Sequence, residues 1–500
     1  LNDIDKKIAK GAIWMVAFKL IDRGLGLIST VVLARLLMPA DFGLVAIAMV
    51  LISALQLLIA FSFDVPLIQN PNAGREHFDT AWTFNVMFSL LAAAIMAVLA
   101  LPTALFYDDP RLEAVIYVLA LGFAIQGFSN IGPVIFRRDM RFDREFKFLM
   151  GKRLIMLGVT IPLAFWLRNY WALALSQLVG TLVAVSLSFI VSEYRPRFCL
   201  KAKTELFHSS KWLVINNVLQ FLNANVVQFF VGRMAGPQSL GYYNIAYEIS
   251  TLPTTELAAP VNRAAFPGYS RVAHDLVQLR SSFLNTIAMI ALFTLPAGAG
   301  IVMVADLLVP VVLGWKWLTV VALMQILAIH GVIQSLQTNI AYIYLATGRL
   351  KVISATLTLQ LALLVACMLP ALRGYGTLGA AWASLAATVL MIPVNQTLVA
   401  RALQLSGTTF MRQILRPLLA SLIMAAVLWG AKRAVAPPAN LAAYGAMLAA
   451  CVAGGALIYC LVLYVLWRAA GQPAGAERTV MMQLQTRLAQ RGIRLALVRS

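Results

Sequence analysis

Apolar residues fill this chain in runs of about 20, the length that spans a bilayer core as a helix, and short breaks of charge, proline and glycine separate them. Stretches such as SLLAAAIMAVLALPTALF and ASLIMAAVLWG are apolar all round, whereas a helix on a soluble core would keep a polar face. The pattern predicts an all-α polytopic membrane protein. Fourteen candidate spans begin near residues 13, 41, 81, 113, 153, 171, 209, 239, 281, 318, 351, 376, 414 and 441. Spans seven and eight, INNVLQFLNANVVQ and YYNIAYEISTLPTTELAAPVN, are polar for lipid and suit helices that face a cavity.

Composition agrees: 61% of the residues are hydrophobic and only 12% are charged. Charge then orients the spans. Most of the 40 Lys and Arg residues fall in alternate connections, with dense blocks at Arg137 to Arg153, Glu193 to Lys203 and after Arg468, while connections such as YDDPR and RNY hold one or two. Because cytoplasmic loops carry the positive excess, both termini are expected inside, with an even number of spans. The net charge of +20 is therefore topological, and without a basic stripe interleaved with aromatics no nucleic-acid partner is expected. In the tail, Met481, Leu484 and Leu488 share a helical face among arginines, the pattern of an interfacial helix on anionic lipid. Cys199, Cys367, Cys451 and Cys460 form no CxxC, so neither a disulfide framework nor a metal site is expected. No cleavable signal peptide is evident, because the first residues run straight into a long span.

A shift of 198 residues lays the first copy of a repeat on the second without a gap. Trp14 meets Trp212, Arg35 meets Arg233, Pro39 meets Pro237, Gly43 meets Gly241 and Ala48 meets Ala246. The offset equals six spans, an even number, so the halves enter the membrane in the same sense, as in alternating-access transporters with a site between repeats. The expected division is an N-lobe over 1–208, a C-lobe over 209–413, two further spans over 414–468 and a basic amphipathic tail over 469–500.

A charge at the centre of a membrane helix costs roughly 2.5–3.5 kcal/mol, so the polar residues inside spans are the candidate chemistry. Span one places Lys19, Asp22 and Arg23 on one face. They form either a self-neutralising cluster or, since one carboxylate cannot balance two cations, a site for an anionic ligand. Span seven aligns Asn216, Gln220 and Asn223, and span eight aligns Asn244, Glu248, Thr251 and Thr255. These stripes suit either interhelical hydrogen bonding or a cavity wall. Pro253 interrupts span eight between Glu248 and Glu256, which permits a bend. Glu248 is a candidate partner for Lys19 or Arg23, or with Glu256 a carrier of a coupling proton or cation. Span ten adds His330, Gln334 and Gln337 at helical spacing, His330 being either a structural residue or a proton relay. Arg263 is either an anchor or a first contact for an anionic headgroup. No Walker GxxxxGK[ST], HExxH or GxSxG occurs, and no hydrophilic segment is long enough for a catalytic domain.

The stretches GAIW, VVLARLLMPADFGLVAIAMVL, YYNIAYEISTLP, NRAAFPGYSRV, VPVVLGWKW and IQSLQTNIAYIYLATGRLK occur in that order. Over about residues 8 to 430 the chain resembles the polysaccharide transporters of the MOP exporter superfamily, of the Wzx type. The resemblance implies a cytoplasmic-membrane flippase and not an enzyme, moving an undecaprenyl-diphosphate-linked oligosaccharide from the inner to the outer leaflet. It implies two six-helix lobes around a cationic cavity, with Lys19 and Arg23 meeting the diphosphate by their position in span one. A polymerase and a chain-length regulator are the candidate protein partners, and no cofactor is expected beyond a proton or sodium gradient. Two other readings stay open: a drug or cation antiporter of the same superfamily, which would want an acidic cavity, and a membrane glycan polymerase or ligase, which would want catalytic residues in a large outer loop.

Overall fold

The computed structural model describes residues 3–59, 67, 74–139, 141–201, 211–436, 438–473 and 475–478, with 481, 482 and 485 beyond them. Among these residues the regular structure is all helical. The helices are α1 (Asp3–Leu36), α2 (Pro39–Ile59), α3 (Arg75–Tyr107), α4 (Arg111–Gly127), α5 (Phe142–Leu167), α6 (Tyr170–Val191) and α7 (Lys211–Ser250). A π-turn, Pro253–Ala258, leads into α8 (Ala259–Arg271). There follow α9 (Leu276–Val312), α10 (Val320–Ala346), α11 (Leu350–Leu403), α12 (Gly407–Ala434) and α13 (Leu441–Ala469). Nine helical segments among the described residues are long and apolar enough to cross a membrane. The tail positions Leu484 and Leu488 lie outside the described residues.

Every predicted start falls in a helix or within two residues of one. Several helices begin earlier than their apolar windows. For α5 the difference is large: it starts at Phe142 where the apolar run starts near 153, so Lys147, Lys152 and Arg153 are helical residues and not part of a basic loop. Hydropathy marks where a helix becomes apolar, while the backbone hydrogen bonds that make it a helix continue through charged residues at the interface. Two long helices contain a break. Gly236 (φ 82°) divides α7 and Gly376 (φ 56°) divides α11, both in backbone regions that favour glycine. Pro237 then opens the second part of α7, where its fixed φ and missing N–H cost nothing.

The chain separates into two compact units, Leu1–Gly241 and Tyr242–Ser500. In the first, α1 packs on α5, α5 on α6, α6 on α4 and α4 on α3, with α2 against α3, α4 and α6. The α1–α2 corner is tied down by Asp41, whose carboxylate accepts from the backbone N–H of Met38 (2.8 Å) and of Tyr170 (3.0 Å). In the second unit α9 is the hub, packing against α10, α12 and α13. Leu292, Leu307, Met424, Leu428 and Tyr459 fill the seam between α9, α12 and α13, and the Tyr459 hydroxyl donates to the Leu292 carbonyl (2.7 Å).

The repeat has a direct structural counterpart inside the first unit. A Cβ at Gly43 would fall on the Pro237 carbonyl, and a Cβ at Gly241 would fall on the Pro39 carbonyl. Each glycine therefore receives the proline of the other copy's corner. Such reciprocity is what a local two-fold relation between the two corners produces, since each must present the same surface. Arg35, Pro39 and Gly43, which in isolation resemble a phosphate-binding turn, belong to a helix corner and its crossing point. At that same place Arg233 pairs with Asp108 (3.1 Å) and lies over the Phe106 ring (5.1 Å).

Candidate functional site

Helix α1 carries the first group of candidates. It packs in parallel on α5 with a constant register: Trp14 packs on Phe146 (4.8 Å) with the rings tilted, Asp22 meets Arg153, and Leu33 shares a cluster with Ala164. Each pair is offset by about 131 residues in sequence, which is the geometry of two helices running side by side without crossing steeply. Lys19 is exposed, and Asp22 and Arg23 are half-buried. The Asp22 carboxylate contacts Arg153 Nε at 2.9 Å, and Arg153 Nη2 donates to the Asp22 carbonyl at 3.4 Å. Asp22 is thus engaged with α5. The seat for this guanidinium is Gly26, one turn along: a Cβ there would stand 2.8 Å from Arg153 Nη2.

Depth follows from the same register. Asp22 lies fourteen residues before the end of α1 and Arg153 fourteen before the end of α5, about 21 Å along each helix at 1.5 Å per residue. Those ends carry Arg35 and Arg168, whose side chains suit an interface. The ion pair therefore lies well inside both helices and away from those ends. Arg153 is the residue that sequence reasoning assigned to a loop, and only the pairing of α1 with α5 shows where it belongs.

Helix α7 carries the second group. The side chain of Asn216 lies outside the described residues. Gln220 is exposed, and Asn223 donates to the Leu219 carbonyl of its own helix (2.9 Å). Beyond the break, Asn244 and Glu248 are half-buried. Glu256 falls inside the π-turn that follows Pro253, also half-buried, and Arg263 is exposed on α8. The proline bend expected from sequence is thus present as a local widening of the helix, a form that recurs where helices serve a function.

The second unit uses much of its polar inventory to hold helices together. Ser250 donates to the Met324 carbonyl (3.0 Å) and Thr254 to the Gly331 carbonyl (2.7 Å), which pins the bent helix to α10 on both sides of Pro253. Farther along, Asn262 donates to Thr338 (3.0 Å) and Tyr269 to Asn339 (3.0 Å). The spacing 324, 331, 338 follows one face of α10. On its other side, His330 Nδ1 meets the Thr388 hydroxyl (2.9 Å). Gln337 donates to the Thr388 carbonyl (2.9 Å) while its own oxygen accepts from Asn395 (2.6 Å). His330 is buried and the Gln337 amide is engaged at both ends, so these two tie α10 to α11. Gln334 is half-buried one turn away. Asn395, Thr388 and Ser384, which accompanies Tyr243 at 3.1 Å, were not expected from sequence. Their signal is i, i+4 hydroxyls on an apolar helix, which is visible only when the facing helix is known.

Outside the spans, the segment after α6 runs extended along the start of α3. The Tyr194 hydroxyl (2.6 Å) and the Arg197 N–H (2.9 Å) both donate to Asp79, and the Cys199 N–H donates to Thr83 (2.9 Å). Burial and the Asp79 carboxylate push the Tyr194 phenol well above its usual range, so it stays a donor. Beyond the end of α3, the hydrogen bond from Arg111 holds the Asp109 carboxyl below the usual carboxylate range.

Residues 32–322 match the family model described as polysaccharide biosynthesis protein, more than half of the chain. The lipopolysaccharide biosynthesis protein WzxC of Escherichia coli (strain K12) is 24% identical over 355 residues, covering 69% of this chain and 71% of that protein. The teichuronic acid biosynthesis protein TuaB of Bacillus subtilis (strain 168) is 25% identical over 412 residues, covering 82% and 85%. Among solved structures, the lipid II flippase MurJ in an inward closed conformation shares the fold, with a TM-score of 0.72 over 92% of this chain and 99% of that one at 16% identity. A multidrug resistance MATE family transporter of the MOP superfamily, inward-facing, gives a TM-score of 0.55 over 79% and 100% at 14% identity. The likeness to polysaccharide biosynthesis proteins holds, and the fold is that of the two solved transporters. By the match over residues 32–322, the chain belongs to the polysaccharide biosynthesis protein family.

Proposed function

We infer that this transporter flips an undecaprenyl-diphosphate-linked oligosaccharide from the inner to the outer leaflet of the cytoplasmic membrane by alternating access, for assembly of a surface polysaccharide. In this reading both termini are cytoplasmic, and the lobes are 1–208 and 209–413. The observation that supports it is the charge of α1 within the membrane. Lys19 and Arg23 share its face with a single carboxylate, Asp22, which is engaged by Arg153. Cations on a membrane helix are the groups a diphosphate needs, because its oxygens accept charge-assisted hydrogen bonds from them. Lys19, Arg23 and Arg263 take the phosphates, and Gln220, Asn223, Asn244 and Gln334 face the sugars. The prenyl chain stays in lipid. Outward movement of negative charge is favoured by about 2.3 kcal/mol per charge per 100 mV for full traversal. Glu248 and Glu256, on either side of the Pro253 bend, are the groups placed to couple an ion to that bend.

The test is reconstitution in liposomes with a short-chain lipid-linked oligosaccharide, following how fast the sugar becomes accessible from the opposite leaflet. Acceleration over empty liposomes is expected. A rate equal to that of empty liposomes would refute the reading.

A further inference from the structure

We propose that Arg153 is a third cation of the diphosphate site and that Asp22 holds its place, the carboxylate occupying the position a phosphate takes on binding. The proposal rests on the function inferred above and names a residue and an exchange within that site.

Three observations carry it. The first is level: Arg153 stands at the depth of Asp22, one turn of α1 from Lys19 and adjacent to Arg23 in register, so it joins the level of the two candidate phosphate ligands. The second is the incomplete contact. Arg153 Nε is 2.9 Å from Asp22 Oδ1, yet its N–H is buried and makes no hydrogen bond, so the carboxylate meets it as a charge and not as an aligned acceptor. A guanidinium has five N–H donors in a fixed fork, a match for two phosphate oxygens that a single carboxylate in this pose does not use. The third is the seat. Gly26 leaves room for Nη2 where any side chain would push it away.

The exchange balances charge without opening a gap in the membrane. Before binding, Asp22 lowers the cost of an arginine well inside the helix pair. When a diphosphate arrives it offers more charge and more acceptors than Asp22, and the guanidinium turns to it. On release Asp22 returns, which limits how tightly the product is held. A site with a built-in competitor binds its ligand less tightly but releases it, as a transporter requires.

Binding of farnesyl diphosphate to the full-length protein in nanodiscs tests this apart from transport. Arg153→Gln is expected to lower affinity about ten- to hundredfold, the loss of a charge-assisted hydrogen-bonding partner, and Arg153→Lys to recover part of it. Asp22→Asn is expected to raise affinity about tenfold, because a like charge beside the phosphate is gone, while slowing turnover in liposomes. Gly26→Ala displaces the guanidinium without removing charge or a large side chain, and is expected to weaken binding severalfold with the fold intact. Wild-type affinity in Arg153→Gln together with unchanged affinity in Asp22→Asn would overturn the proposal and leave it a helix-joining pair. Should the wild-type protein bind the probe and lose it in Lys19→Ala but not in Arg153→Gln, this inference fails while the diphosphate reading stands. Failure of the wild-type protein to bind at all sinks both.

Discussion

The crossing of the two corners makes a quantitative prediction. Replacing Gly43 with Ala places a methyl on the Pro237 carbonyl, and replacing Gly241 places one on the Pro39 carbonyl. A backbone carbonyl in a helix start cannot rotate away as a side-chain end can, so the corners must part. Overpacking of this kind costs about 1–3 kcal/mol, and the backbone contact argues for the upper half of that range. The reciprocity adds a sharper expectation. Both contacts belong to one interface, so the separation forced by the first methyl already makes space for the second. The double variant Gly43→Ala/Gly241→Ala should therefore be destabilised about as much as the worse single variant, with a coupling of about 2 kcal/mol between the sites. Gly430→Ala and Gly445→Ala, where a Cβ meets nothing within 4 Å, serve as controls and should leave stability unchanged or slightly higher. The measurement is the unfolding midpoint in mixed detergent micelles. Additive single effects, or a Gly43→Ala variant as benign as Gly430→Ala, would refute the reciprocal crossing.

Lys19→Ala and Arg23→Ala should each abolish transport in liposomes while the protein still inserts and purifies; normal polymer output in cells carrying both would remove α1 from the mechanism. Asp79→Ala should release the extended segment after α6, because it loses acceptors for Tyr194 and Arg197 together worth about 3 kcal/mol, near a hundredfold in local opening. Trypsin cleavage after Arg197 and Lys201 in detergent reads this out, the bond after Arg195 being protected by Pro196; unchanged cleavage would show that Asp79 does not hold the segment. At the far end of α3, Asp109 has its folded pKa lowered by Arg111, so the stability it gives is present above its unfolded pKa and lost as pH falls through the folded value. Arg111→Gln should therefore cost below about 1 kcal/mol at pH 6, the arginine being half-exposed, and the difference from wild type should shrink toward pH 3; a constant difference across that range would contradict the assignment.

Much of the architecture is legible in the pattern of residues along the chain. Apolar runs of membrane length locate the helices, and Pro39 and Pro237 with Gly43 and Gly241 mark the repeat before any coordinate is known. Pro253 announces the bend that becomes a π-turn. Lys19, Asp22 and Arg23 stand out because charge inside an apolar run has few innocent explanations. Gln337 and His330 were also legible as polar, yet their partners Asn395 and Thr388 lie on a helix about 58 residues away and show that their polar atoms join α10 to α11.

The sequence by itself determined the class, the helices, the repeated corner and the family, because these depend on local hydrogen bonding and on transfer of apolar surface, both of which are read residue by residue. Only the tertiary structure decided that Asp22 belongs to Arg153 and that Gly26 makes room for the pair. That choice depends on the register in which two helices pack, some 131 residues apart, and no periodicity within either helix encodes it.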